Sequence, residues 1–340
     1  MMMSIRLIAN SANSIVKCGL CSRYVLIRHF SRNPKKPGVR EKLDISTREL
    51  KKFKLKKLCE LDKDDVGSNV IKVTQLWKPF AFTLSVVGLS FGSAAIIEYE
   101  RLGRKLRSKS DRLREWVRKH PSFQDTYRTW ITMTPSERIF WCMCAFNFLV
   151  LIALRTRTRQ LMYFFTTQPL KKPLYLPMVL AIFGHASFLH LLCNMYGLHS
   201  ILLPMRSFLG DEQMWALFLS AGVFSSFISV AVKASRRTMV PSLGASGAIL
   251  GMLGAFCIIQ PESRLGIAFV NDFSFPAKYG LIGIILIDSL GLFMGWRFID
   301  HAAHLGGTFF GVWYMKFGQD LLWRYRRKLT VKWRDLKRKF

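Results

Sequence analysis

A serine and a histidine occupy two uncharged stretches of this sequence, each among small residues. Ser246 lies in the run Leu-Gly-Ala-Ser-Gly-Ala at 243–248, and no charged residue occurs between Arg237 and Glu262. His304 precedes Leu-Gly-Gly in a second apolar stretch. A serine hydroxyl becomes nucleophilic when a base lies within about 2.6–3.2 Å of it. The pair therefore predicts a nucleophile and its general base.

Three further polar side chains, His185, His190 and Asn194, lie in a third apolar segment. Polar groups within a membrane are costly and normally face the interior of a helix bundle or a water-filled cavity. A single intramembrane serine is usually bonded to its own helix, and a single histidine often bonds a neighbouring helix. The occurrence of all five residues on apolar segments favours a functional site instead.

Glycines accompany both the serine and the histidine at helical spacing. Gly247, Gly251 and Gly254 follow Ser246, and Gly307 and Gly311 follow His304. Because small residues let two helix backbones approach closely, this pattern predicts that the two segments pack directly against each other.

These motifs resemble the rhomboid family of intramembrane serine proteases. In that family the nucleophile lies in a Gly-x-Ser-Gly turn and the base in an Ala-His-x-Gly-Gly run, which match 244–247 and 303–307. The third match is 183–195, with two histidines five residues apart and an asparagine four residues later. The resemblance covers roughly 136–318. The blocks at 242–247 and 295–304 most resemble the mitochondrial members of the family.

The resemblance implies a peptide hydrolase that uses a dyad of Ser246 and His304. It also implies that Asn194 and His190, four residues apart on one helical face, form an oxyanion hole with the Ser246 backbone N–H. The resemblance further implies that Gly244 supports the turn before Ser246 and that His185 braces the adjoining loop.

Two ionisable residues shortly before His304, Asp300 and His301, need separate interpretations. Asp300, four residues earlier, is either a third catalytic residue, which helical spacing permits, or a helix N-cap. The family's dyad favours the N-cap. His301 lacks the following Leu-Gly-Gly and receives no catalytic role.

Half of the residues are hydrophobic, and the apolar residues form long uncharged runs. A transmembrane helix needs about 20 mostly apolar residues, which predicts seven spans. One helix followed by six is the arrangement of the mitochondrial subclass. The predicted fold is therefore an all-α membrane protein with a six-helix core at 136–318 and one additional transmembrane helix at 79–97. The predicted spans are 79–97, 139–154, 176–203, 213–232, 242–260, 279–296 and 299–317.

The formal net charge of +30 does not indicate nucleic-acid binding, because the basic residues flank the predicted spans. Such residues bind anionic lipid headgroups, and the lipid bilayer is thus the expected partner surface. No metal or organic cofactor is predicted, since the sequence contains no His-Glu-x-x-His run. The cysteines imply no disulfide framework.

The first 40 residues contain eight basic residues and no acidic one, which is typical of a mitochondrial transit peptide. The run Arg28-His29-Phe30-Ser31 predicts cleavage after Phe30. Residues 41–78 are then a matrix arm, 98–135 a basic linker and 319–340 a basic C-terminal tail. The expected location is the mitochondrial inner membrane.

The substrates predicted by this interpretation are single-span transmembrane proteins with helix-weakening residues near the cleaved bond, since a continuous helix keeps its carbonyls hydrogen-bonded. One alternative is a catalytically inactive rhomboid-like protein that binds membrane helices. Another is a transporter that moves protons through intramembrane histidines. The intact Ser246 and His304 favour the protease.

Overall fold

The computed structural model describes residues 71–107, 130, 133–156, 159–169, 175–266 and 273–339. The predicted transit peptide with its cleavage point after Phe30, most of the predicted matrix arm and most of the predicted basic linker lie outside these residues.

Within these ranges the chain is mainly helical. A capping box begins the helix at Pro135–Arg155, in which Thr134 and Glu137 each bond the backbone of the other. Between the helices at Ser246–Ile259 and Ala277–Met294, the strands β1 Arg264–Gly266 and β2 Ser274–Pro276 form a two-stranded antiparallel sheet. The α-helices are α1 Trp77–Arg107, α2 Pro135–Arg155, α3 Arg159–Phe164, α4 Tyr175–Leu180, α5 Phe188–Leu209, α6 Asp211–Ser235, α7 Ser246–Ile259, α8 Ala277–Met294, α9 His301–Trp313 and α10 Arg326–Lys337.

Among the described residues, five segments are long and apolar enough to cross a membrane, and they contain α1, α2, α5, α6 and α8. The predicted all-α membrane fold is thus confirmed. The remaining two predicted spans contain α7, with 14 residues, and α9, with 13 residues. Helix α9 continues directly into a π-helix at Tyr314–Trp323. The arrangement of one helix followed by six stays a prediction.

The predicted span at 176–203 is not one continuous helix. It divides into α4, a 3₁₀ turn at Ala181–Phe183 and α5. The break follows from local hydrogen bonds, because the Ser187 hydroxyl accepts from the His190 N–H and caps α5 at its N-terminus. Helix α5 then extends beyond the predicted end, to Leu209.

The glycines bring α7 and α9 into direct backbone contact, as their spacing predicts. A Cβ atom on Gly307 would overlap the Gly247 carbonyl oxygen, and one on Gly311 would overlap the Gly251 carbonyl oxygen. Since these pairs follow the same order along both helices, α7 and α9 are parallel. Their first turns, with Ser246 and His304, therefore lie at the same end of the bundle.

Helix α1 packs against α6 in the antiparallel direction. Arg101, near its end, forms two hydrogen bonds with Glu212 at the start of α6, at 2.6 and 2.9 Å. Near its start, the Phe80 ring lies 5.4 Å from that of Phe227, close to the end of α6. The first turn of α1 is thus at the same end of the bundle as the last turn of α6.

Candidate active site

Ser246 is the first residue of α7, and a glycine turn leads into it. Gly244 has φ +130°, a backbone conformation that residues other than glycine rarely adopt. Its N–H donates to the Ala181 carbonyl at 2.8 Å. A Cβ atom at Gly244 would also lie 2.9 Å from Cε1 of His190. Both constraints require glycine, so the turn fixes where Ser246 begins the helix.

His304 lies in the first turn of α9 and reaches across to Ser246. Its Nε2 atom is 2.9 Å from Ser246 Oγ, and its Nδ1 atom is 3.3 Å from Asp288 Oδ1. A carboxylate can only accept a hydrogen bond, so Nδ1 carries the proton and Nε2 accepts from the serine hydroxyl. The structure thus brings together the predicted nucleophile and base, in the tautomer that base catalysis requires.

Asp288 is a site residue that the sequence motifs did not identify. It lies in α8 and is 5% exposed. Its Oδ1 atom also contacts His301 Nδ1 at 2.6 Å, so the two histidines share one carboxylate. The sequence feature that could have identified Asp288 was its position, because a lone aspartate inside an apolar span is a functional candidate by default.

Asp300 is close to His304 in sequence, but its carboxylate turns away from the imidazole. One oxygen, Oδ1, accepts from the Ala303 N–H at 3.1 Å and caps α9. The other, Oδ2, pairs with Lys233 at 2.8 Å. The N-cap interpretation therefore agrees with the geometry, and the carboxylate beside the His304 ring belongs to Asp288.

The residues predicted for the oxyanion hole lie beside the turn that precedes Ser246. His190 faces Gly244, and Asn194 Nδ2 is 4.0 Å from the position of a Cβ atom there. In this structure Asn194 Nδ2 donates to the His190 carbonyl at 2.8 Å. This bond uses one of the two N–H donors of the Asn194 amide, which leaves the second one for a substrate.

His185 is 1% exposed and lies in the break between α4 and α5. Its Nδ1 atom donates to the Phe183 carbonyl at 3.3 Å, and its ring lies 5.2 Å from that of His190. These contacts lie beside the site, and the bracing role of His185 stays a prediction.

Comparison with known proteins gives the chain its family. Residues 173–319 match the family model of the Rhomboid domain. The chain is 39% identical over 274 residues to "Presenilin-associated rhomboid-like protein, mitochondrial" of Rattus norvegicus, covering 78% of this chain and 73% of the relative. This chain belongs to the rhomboid family. Rhomboid proteins are intramembrane serine proteases, and this assignment agrees with the motifs found in the sequence.

Two other rhomboid relatives extend the comparison. "Presenilin-associated rhomboid-like protein A, mitochondrial" of Danio rerio is 38% identical over 292 residues, which cover 77% of this chain and 76% of the relative. "Rhomboid protein 1, mitochondrial" of Saccharomyces cerevisiae is 31% identical over 156 residues, or 44% of this chain and 45% of the relative. The match to the family model begins after α2, later than the predicted start of the core at 136.

Proposed function

We propose that this rhomboid protein hydrolyses peptide bonds in or near transmembrane segments with a dyad of Ser246 and His304. The observation that carries the proposal is the 2.9 Å hydrogen bond between Ser246 Oγ and His304 Nε2. Ser246 Oγ attacks the substrate carbonyl carbon while His304 Nε2 takes the hydroxyl proton. His304 then gives that proton to the leaving amine, and water hydrolyses the acyl-enzyme.

The same hydrogen bond argues against a catalytically inactive rhomboid-like protein. An inactive binder has no need for a base held at hydrogen-bonding distance from a serine in the correct tautomer. The first-turn position of Ser246 in α7 adds unpaired backbone N–H groups at the helix N-terminus, which suit the negative charge of a tetrahedral intermediate.

Asn194 and His190, with the Ser246 backbone N–H, are the proposed oxyanion donors, and Gly244 keeps them close to the nucleophile. Fixed donors act on charge that develops only in the transition state, and loss of one costs about 10²–10³-fold in kcat. Asn194→Ala should therefore lower kcat while a fluorophosphonate serine probe still labels Ser246 slowly. Unchanged single-turnover cleavage would remove Asn194 from the site.

A fluorophosphonate probe on the purified full-length chain tests the proposed function most directly. The wild-type protein should react, and mass spectrometry of the labelled peptide should place the adduct on Ser246. Ser207, which lies exposed on α5 and bonds the Pro204 carbonyl, is the internal control because no histidine pairs with it in the described part of the chain. Labelling at Ser207 as fast as at Ser246 would contradict an activated nucleophile.

Asp288 is proposed to orient the His304 imidazole and to stabilise the imidazolium that forms during attack. Asp288→Asn should lower kcat by about 10- to 100-fold, less than the roughly 10⁴-fold loss for a triad aspartate. The smaller effect follows from its 3.3 Å distance to His304 and its closer contact with His301. Steady-state kinetics on a single-span substrate would measure the change.

The exposed carboxylate of Asp320, which pairs only with Arg324 in the described structure, provides the matched control. Asp320→Asn should leave kcat unchanged, because this carboxylate lies far along the π-helix from His304. A wild-type kcat for Asp288→Asn would show that Ser246 and His304 work without a third residue.

The mitochondrial location is supported by the names of the relatives and by the acid-free first 40 residues. We propose that the chain resides in the inner membrane, that import removes the residues up to Phe30 and that the mature chain begins near Ser31. N-terminal sequencing of the protein from mitochondria would test the cleavage point. A full-length chain in the secretory pathway would contradict the location.

The proposed substrates are single-span proteins, because a multi-span bundle would bury its helices away from the site.

The first turn of α1 and the site share one end of the bundle, since α1 is antiparallel to α6 and α6 ends next to the segment that carries Ser246. If the arm before α1 faces the matrix, the site is on the matrix side. Protease protection of the arm in mitoplasts would test this.

A further inference from the structure

A second buried polar cluster lies where α6, α7 and α9 meet. Its members are Ser229 and Lys233 of α6, Ser242 of the segment before α7, and Asp300 at the start of α9. Asp300 Oδ2 accepts from Ser229 at 2.5 Å and from Lys233 at 2.8 Å. Ser242 Oγ bonds both Lys233 Nζ and Asp300 Oδ2. We name these four residues the polar clamp.

The polar clamp is largely shielded from solvent. Ser229 is fully buried and Lys233 is 9% exposed, while the side chain of Asp300 is 20% exposed. A buried ion pair contributes little net stability compared with apolar side chains of the same volume. Its presence therefore calls for an explanation other than the stability of the bundle.

The connections of the clamp supply that explanation. Ser242 comes four residues before Ser246, and Asp300 comes four residues before His304. One carboxylate thus holds the segment that carries the nucleophile with Oδ2 and the helix that carries the base with Oδ1. Lys233 bonds both partners from the end of α6.

The Ser242 segment is fixed from its other side as well. Its backbone forms a bridge with Thr167, with N–H to carbonyl distances of 2.8 and 3.0 Å. Two residues later the Gly244 N–H bonds Ala181. With its backbone held on one side and its hydroxyl on the other, the segment can deliver Ser246 to only one position.

We infer that Lys233, Asp300 and Ser242 are positioning residues that set the distance between Ser246 and His304. The inference rests on the proposed protease function and adds residues whose side chains bond neither Ser246 nor His304. An error of about 1 Å in the placement of catalytic groups can cost 10²-fold in rate. A device that ties the two short helices together next to their first turns therefore has a direct effect on turnover.

The same atoms do not form a second nucleophile. A serine beside a lysine resembles the Ser-Lys pair of some hydrolases, in which a neutral amine takes the hydroxyl proton. Here Lys233 Nζ forms an ion pair with the Asp300 carboxylate at 2.8 Å, so the amine is already engaged with a partner and the cluster acts through geometry.

The test uses the full-length chain with Lys233→Met and Asp300→Asn combined. The double substitution removes both charges and leaves neither unpaired, and asparagine still caps a helix. We expect kcat on a single-span substrate to fall about 10- to 100-fold, with KM unchanged. The rate of fluorophosphonate labelling at Ser246 should fall by a similar factor. The single substitution Lys233→Arg, which keeps the ion pair with Asp300, should retain most of both rates.

Lys278→Met is the matched control, since Lys278 pairs with Glu262 at 2.6 Å on the surface. This variant should keep the wild-type kcat, KM and labelling rate. If the double variant is not recovered as a monodisperse protein, Ser242→Ala tests the positioning role instead, because it removes only one hydroxyl. We expect it to lower kcat several-fold without a matching fall in Tm.

Two results separate this inference from the proposed function. A wild-type kcat in a folded double variant, or in Ser242→Ala where the double variant is not recovered, would overturn the positioning role and leave the protease intact. A wild-type chain that neither cleaves substrate nor reacts at Ser246 would overturn the proposed function itself.

Discussion

Ser246→Ala should abolish cleavage of a transmembrane substrate, with kcat lower by at least about 10⁴-fold. The substitution removes the only atom that can form the acyl-enzyme, and the remaining donors cannot replace it. Coexpression with a single-span substrate, followed by immunoblotting for the cleaved fragment, would measure the loss in cells. Kinetics on the purified protein would measure it quantitatively.

The structure predicts that this variant folds. Ser246 is followed by Gly247 and Ala248, so alanine fits a site that already holds small residues. The lost hydrogen bond to His304 is worth about 1 kcal/mol, so Tm should change little. Ser225, a buried serine of α6 that bonds its own helix at the Gly222 carbonyl, offers a matched control, and Ser225→Ala should keep its activity. Cleavage retained by a folded Ser246→Ala would refute the nucleophile.

Local sequence was enough to predict the dyad and the close packing that supports it. Ser246 and His304 each lie in a short run whose residue types predict the role proposed for them. The glycines after each of them must lie on one helical face. The contact between Gly247 and Gly307 follows directly from that pattern. The family resemblance added the order of the motifs along the chain.

The parts that sequence reasoning missed depend on packing between distant helices. Asp288 belongs to no short motif, and only the position of α8 places it beside His304. In the polar clamp, Asp300 bonds residues that precede it by 58 to 71 positions, such as Ser229 and Ser242. The break before α5 was also missed, because hydropathy does not register that Ser187 caps a helix inside an apolar run.

The contrast between two neighbouring histidines gives the sharpest test of the base. Both contact Asp288, and His301 does so more closely, at 2.6 Å. However, only His304 reaches Ser246, because its Nε2 atom faces the hydroxyl. The ring of His301 instead packs against Gly291, where a Cβ atom would collide with it. Contact with Ser246, not with the carboxylate, is therefore the reason to propose His304 as the base.

His304→Ala should lose activity to about the same extent as Ser246→Ala, because removal of either partner disables the unit as a whole. His301→Ala should retain most of its kcat but show a lower Tm, since it empties a buried position and leaves Asp288 with one histidine partner. Kinetics and thermal unfolding of both purified variants would separate the two effects. An inactive, fully folded His301→Ala beside an active His304→Ala would reverse the assignment and make His301 the base.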